Sequence, residues 1–199
     1  RTYVLSDVVV RALRYLNPDK KVEYVMNITD VGHLTGDNLG DADTGDDRLE
    51  KAAAREGKTA WDIANFYAQD FAQGFDKLNL IWPTKPGLKS GQDNTNYFSK
   101  ATDHILEQIE LVKRIEENGF AYAISDGIYF DVNAYESKGN KYGQLSNIDQ
   151  VLEGARVEPN PEKKDPRDFA LWKFSPTKGS GEPARQMEWD SPWGVGFPG

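Results

Sequence analysis

Three short polar side chains, Asn27, Thr29 and Asp30, cluster at the end of an alternating apolar run, Val22, Tyr24, Met26 and Ile28. That alternation predicts a strand over residues 21–28. In an α/β fold, ligands bind beyond the carboxyl ends of such strands. An amide, a hydroxyl and a carboxylate at that edge can hold a small polar substrate, or they can cap the next turn. The residue types leave those two readings even. Little else in the chain offers chemistry. There is no cysteine, and the two histidines, His33 and His104, are far apart. Thiolate catalysis, disulfides and Cys-based zinc sites are excluded, and each histidine reads as a surface or loop residue. No G-x-G-x-x-G follows a strand, and no phosphate-loop lysine, G-x-S-x-G or H-E-x-x-H occurs. The Gly- and Asp-rich stretch 32–47 fails as a calcium loop. With Asp41 and Asp43 at positions 1 and 3, Gly45 and Asp46 follow, and Ala52 falls where a bidentate Glu is needed. It reads as a solvated acidic loop.

Composition narrows the class further. Over 199 residues, 38% are hydrophobic, which is a globular rather than a disordered balance. No apolar run approaches the roughly 20 residues that span a bilayer, so a membrane protein is not expected. No basic segment leads into an apolar stretch as in a signal peptide, and a cytoplasmic address is expected. The net charge of −8 argues against nucleic-acid binding by the chain as a whole, because phosphate neutralisation by Lys and Arg dominates that affinity. A local basic patch stays possible.

The elements that must carry these residues follow from periodicity. A helix is expected over 1–16, with Val8, Val9, Ala12, Leu13 and Leu16 as its apolar stripe. Asn17-Pro18-Asp19 stops it. A second helix spans 48–56 and closes at Gly57. Thr59 then caps a third, with Asp62 three residues on, and Ile63, Phe66, Tyr67, Phe71, Phe75 and Leu78 are assigned to the core. Residues 81–95 read as a loop. Ile105, Ile109, Val112 and Ile115 mark another helix ending at Gly119. Strands over 121–124 and 128–132 flank Asp126-Gly127, a hairpin signal. A polar stretch covers 133–166, and a short strand 169–174. A bare helix at the start and an abrupt Trp- and Gly-rich tail are read as signs of sequence missing on both sides.

The words of the sequence go beyond its statistics. Tyr24-Val25-Met26-Asn27-Ile28-Thr29-Asp30-Val31 resembles the Y-V-x-N-I-T-D-[VI] block of cysteinyl-tRNA synthetases. Arg1-Thr2 with Ser6-Asp7-Val8-Val9 is similar to the segment after that family's HIGH motif. Ala101-Thr102-Asp103-His104-Ile105 resembles A-T-x-H-I, and Gly119-Phe120-Ala121-Tyr122 with Ile128-Tyr129-Phe130-Asp131-Val132 resembles its hairpin. Gly154-Ala155-Arg156-Val157, then Lys164-Asp165-Pro166-Arg167-Asp168-Phe169-Ala170-Leu171-Trp172-Lys173, then Trp189-Asp190-Ser191-Pro192-Trp193-Gly194 match further blocks in order. The resemblance covers almost the whole chain. It departs where Val31-Gly32-His33-Leu34 replaces the common I-D-D-K, and where Phe197-Pro198-Gly199 replaces R-P-G.

The resemblance implies an α/β fold: an incomplete Rossmann-like nucleotide-binding domain, the class I synthetase catalytic core, with an inserted connective peptide containing a β-hairpin. Residues 1–118 are expected to form the first half of that domain with a helical extension. Residues 119–168 would be the insertion, and 169–199 the return to the catalytic domain. The implied activity is ATP-dependent joining of cysteine to tRNA(Cys), in a monomer using ATP, Mg2+ and Zn2+. The HIGH and KMSKS motifs and the zinc ligands fall outside this chain, so it is expected to hold no catalytic residue and no metal, and to be inactive alone. Thr29 takes the family position that helps hold cysteine, with Asn27 and Asp30 beside it. Trp172 and Lys173 lie in a block near the active site. Two other functions fit the residues: a non-catalytic folding or binding module derived from that domain, and a sibling ligase that joins cysteine to an amino-sugar.

Overall fold

The structure is a computed structural model that describes residues 1–31, 48–84, 97–145, 160–176 and 185–199. The expected acidic loop at 32–47, with His33, and the Gly154–Val157 block lie outside the described residues. The chain divides into two units, Arg1–Asp30 with Ala64–Asp103, and Val31–Ile63 with His104–Gly199. Both helices and sheets are present, and each unit carries one sheet among the described residues.

In the first unit, helix α1 spans Thr2–Leu16. The Asn17 backbone N–H and side-chain Nδ2 both donate to the Leu13 carbonyl, at 3.0 and 3.1 Å, and Pro18 follows. The expected apolar stripe is a correction: Val8, Val9, Leu13 and Leu16 are exposed, and Asp7 and Val10 are buried. Polar anchoring outweighs hydropathy here. Asp7 Oδ1 accepts from the Ile81 N–H at 2.7 Å, while Oδ2 accepts from Arg11 Nε at 2.8 Å. Arg11 also donates to the Asn79 carbonyl. A hydropathy pattern places an aspartate outside, so it points to the wrong face.

Only Asn27–Ile28 of the expected strand forms a ladder, β1, and it pairs in parallel with β2, Ser99–Lys100. Upstream, Tyr24 and Thr84 trade single bonds, Thr84 N–H to the Tyr24 carbonyl and the Tyr24 N–H to Thr84 Oγ1. Pro83, next to Thr84, has no N–H with which to extend a ladder. Alternation still holds, with Tyr24 buried between exposed Glu23 and Val25. Beneath lies a core of Ala72, Phe75, Leu80 and Phe98, flanked by Met26, Ile28, Phe71 and Trp82. Phe75 meets Phe98 edge-on at 5.2 Å, a geometry that favours aromatic pairs beyond their buried area.

Helix α2 spans Arg48–Glu56 as expected, and Gly57, at φ 63°, turns the chain out of it. Helix α3 spans Ala60–Lys77. Thr59 Oγ1 accepts from the Asp62 N–H at 3.0 Å, and Asp62 Oδ2 accepts from the Thr59 N–H at 3.0 Å, the reciprocal capping box expected. The core assignment on α3 is partly corrected. Ile63 and Phe75 are buried, whereas Phe66, Tyr67 and Leu78 are exposed, and Ala60, Ala68 and Ala72 are buried instead. Small residues permit close approach, which counting large apolar side chains overlooks.

A 3-10 turn over Ala101–His104 ends the first unit's second segment, and in the second unit α4 spans Ile105–Glu117, with Ile105, Ile109 and Val112 buried. Gly119, at φ 77°, ends it. Strands β3 (Ala121–Ile124), β4 (Gly127–Phe130), β5 (Phe169–Phe174) and β6 (Gly196–Pro198) form an antiparallel sheet in that order. The hairpin is present, one residue out of the expected register. Ile124 pairs with Gly127, so Ser125-Asp126 makes the turn. Helix α5, Val132–Ser137, was hidden in the polar stretch. The boundary expected at 168/169 falls inside this sheet, because β5 pairs with β4 over Gly127–Phe130.

Candidate functional site

The end of β1 is built by two anchors. On one side, Ile28 sits in the parallel ladder opposite Lys100, and the Ser99 N–H donates to the Met26 carbonyl at 3.0 Å. On the other, Asp30 is buried, and its two carboxylate oxygens accept from one residue. Oδ1 takes the Thr102 N–H at 3.0 Å and Oδ2 takes the Thr102 hydroxyl at 2.6 Å. Bonds to an ionised acceptor are the stronger class of hydrogen bond. Asp30 therefore ties the strand end to the segment after β2, and its oxygens are engaged within the protein.

Thr29 lies between those anchors and is exposed, as is Asn27. Two residues apart in extended chain, they share a face, and Asn27 Nδ2 donates to Thr29 Oγ1 at 3.3 Å. Thr29 Oγ1 accepts that bond and keeps its own O–H available as a donor. The structure thus brings Asn27, Thr29 and Asp30 together, with two side chains outward and one inward.

Trp172 and Lys173 lie in the second unit, on β5. Trp172 is fully buried, and its Nε1 has no hydrogen-bond partner among the described residues. Lys173 is 5% exposed, and its ammonium donates to Asp126 Oδ2 at 2.5 Å and to the Tyr129 hydroxyl at 3.1 Å. Glycines line both sides of this strand. A methyl group at Gly127 would run into the Trp172 carbonyl, and one at Gly196 into the Lys173 carbonyl and the Trp172 indole nitrogen.

Sequence reasoning overlooked a second polar constellation beside this sheet. Asp168 is 2% exposed and accepts from the Tyr122 hydroxyl at 2.7 Å, the Val132 N–H at 2.9 Å and the Asp165 N–H at 3.1 Å. Burial pushes the Tyr122 hydroxyl well above its ordinary pKa, and Asp168 adds to the push. Asp131 caps α5 through Ala134 N–H and accepts from Lys164 Nζ at 2.8 Å. Its burial favours the neutral form, but these two donors together outweigh it and hold the carboxyl below its ordinary value. Arg167 grips Asp165 and Glu136 at 3.0 and 3.1 Å, lowering the Asp165 pKa. The closely spaced acids and bases of Lys164-Asp165-Pro166-Arg167-Asp168 were the available signal. The arrangement consumes its own charges, which suits a brace better than a reaction centre.

Among the described residues nothing is arranged as a zinc centre. Cysteine is absent, and no group of three or more His, Asp or Glu is placed to hold a metal among the described residues. No described helix is long and apolar enough to cross a membrane.

The family model for the tRNA synthetases class I (C) catalytic domain matches residues 1–199. The cysteine–tRNA ligase of Treponema denticola is 42% identical over 201 aligned residues, covering 100% of this chain and 36% of that protein. Cysteine–tRNA ligase 1 of Burkholderia lata is 42% identical over 200 residues, and the cysteine–tRNA ligase of Chlorobaculum tepidum 40% over 201. Each alignment covers 100% of this chain and 37% of the relative, so the chain spans a little over a third of their length.

Proposed function

The chain belongs to the family of class I (C) tRNA-synthetase catalytic domains, and we propose on that premise that it is part of a cysteine–tRNA ligase. The reading is supported by relatives bearing that name, which align along the whole chain, and the same names favour tRNA over an amino-sugar as acceptor. In this reaction the cysteine carboxylate attacks the α-phosphate of ATP, giving an adenylate and pyrophosphate. A terminal ribose hydroxyl of tRNA(Cys) then takes the aminoacyl group. Catalysis of this kind is largely positioning and electrostatic stabilisation. ATP, cysteine and tRNA(Cys) are the proposed substrates, with Mg2+ accompanying ATP, in a cytoplasmic monomer.

The observation that carries the site is the Thr29 hydroxyl, exposed at the carboxyl end of β1 and steered by Asn27. We assign it to a polar group of the cysteine substrate. Asn27 orients it. The burial of Trp172 and the pairing of Lys173 support a supporting-wall role rather than contact with substrate. We read the first unit as part of the Rossmann-like core, and the hairpin-bearing segment as the connective insertion. The β4–β5 pairing supports grouping residues 169–199 with that insertion.

The chain holds neither a HIGH nor a KMSKS motif. Exchange of labelled pyrophosphate into ATP, with cysteine present or omitted, tests the proposal on a full-length ligase carrying this segment and on the segment alone. Cysteine-dependent exchange is expected from the former and none from the latter. A full-length protein without exchange would favour the non-catalytic module, and robust exchange by the segment would put the reaction centre inside it.

A further inference from the structure

We infer that Asp30 and Thr102 form a positioning pair that sets the orientation of Thr29 and, through it, the affinity for the amino acid. The inference rests on the reading that the Thr29 edge receives that substrate. It starts from the shortness of β1. The ladder ends at Ile28, so backbone pairing does not hold Thr29 from the far side. That restraint comes from the next residue, whose buried carboxylate takes both the N–H and the hydroxyl of Thr102 at 3.0 and 2.6 Å. Two donors from one residue onto two oxygens define an orientation as well as a distance. Rotation of the Asp30 peptide would break one bond or the other, and the same rotation would swing Thr29.

Asp30 is occupied with Thr102 rather than offered to substrate. It is 8% exposed, and each of its oxygens already accepts a bond from Thr102. Thr102 is half-buried and donates to Asp30 through its backbone and its side chain together. The pair joins two segments 72 residues apart in sequence. It lets the exposed edge consist of short neutral side chains held in register by a charge kept behind them.

The test uses a full-length ligase carrying this segment, with KM for cysteine, KM for ATP, kcat in pyrophosphate exchange and the melting temperature read for each variant. Thr102→Val keeps the backbone donor and removes the hydroxyl. It is expected to raise the cysteine KM about tenfold, within the ~100-fold that a 1 Å misplacement can cost, and to leave the ATP KM unchanged. Thr102→Ser restores both donors and should return the cysteine KM to within about twofold of the parent, because the hydroxyl–carboxylate bond is remade. In a Thr29→Val background, Thr102→Val should have no further effect on the cysteine KM, since coupled residues are not additive.

Equal rises in both KM values, additivity with Thr29→Val, or a lowered melting temperature with unchanged cysteine KM would each overturn the positioning role. Thr29→Val on its own separates the two levels. If it leaves the cysteine KM unchanged, the reading of the edge has failed. If it raises that KM while Thr102→Val does not, the edge stands and the positioning pair falls. Should Thr102→Val not fold, Asp30→Glu, which keeps the charge and displaces it by one methylene, carries the same measurements and expectations.

Discussion

The end of β1 and the four-stranded sheet use charge in opposite ways. At the end of β1, a single carboxylate is withdrawn behind the surface to grip Thr102, and an amide and a hydroxyl are left outside. Around the four-stranded sheet, cations and anions are matched to one another: Lys173 with Asp126, Lys164 with Asp131, Arg167 with Asp165 and Glu136. Matched charges leave little affinity over for a ligand, whereas a short exposed hydroxyl held from behind retains it. The difference separates the surface proposed to recognise substrate from one that braces, even though the second holds more of the ion pairs.

That contrast can be broken by substitution. The largest effect is expected from Asp126→Ala, which removes the carboxylate partner of the buried Lys173 ammonium and leaves its bond to the Tyr129 hydroxyl. Breaking a buried pair costs ~3–5 kcal/mol, and because Asp126 is about a third exposed the loss should be about 2–3 kcal/mol in denaturant-unfolding stability. Lys173→Met should cost less, since the carboxylate left over can turn to water. Equal losses would show that the pair is less buried in effect than in geometry. Neither variant should alter the cysteine KM if this sheet braces.

Next comes Gly196→Ala, whose methyl group meets the Lys173 carbonyl and the Trp172 indole. Overpacking of this kind is worth about 1–3 kcal/mol, and an unchanged melting temperature would mean that β6 is free to shift away. Thr29→Val in a full-length ligase is expected to do the reverse. Loss of one hydrogen bond to substrate, ~0.5–1.5 kcal/mol, should raise the cysteine KM about two- to tenfold with melting unchanged.

The smallest effect is a pH dependence. Asp131 and Asp165 have carboxyls held below their ordinary value of 3.8, Asp165 chiefly through Arg167. A depressed folded pKa contributes stability that is complete above the unfolded value and is lost as pH falls through the folded one. Melting temperatures should therefore be insensitive to pH near neutrality and decline below about pH 4. Asp131→Asn, which keeps the α5 cap and drops the charge, should flatten that decline. An unaltered acid limb would remove Asp131 from the account.

Local signals were readable in the sequence, and distant ones were not. Helix α2 and strand β5 have the bounds expected of them, and the hairpin needed only Asp126-Gly127 to announce it. The face of α1 was misread because its anchor is Asp7, whose partner is the N–H of Ile81, 74 positions away. On α3 the buried alanines carry contacts that Phe66 and Tyr67 seemed better built to make. Asn27 and Thr29 could be placed at a strand end from spacing alone. The inward role of Asp30 could not, because it depends on Thr102, and no pattern within one strand names a partner 72 residues on.

That separation also has a meaning in time. A chain emerges from the ribosome amino end first, at ~5–20 residues per second. The first unit needs Ile81 to anchor α1 and Thr102 to hold Asp30, from partners 74 and 72 positions earlier. Its early residues must therefore wait ~4–15 seconds at that pace before their partners exist. The β3–β4 hairpin, which pairs Ile124 with Gly127, can close within microseconds of appearing. The first unit thus closes over long separations and the hairpin over a short one, although Thr102 is made before the hairpin begins.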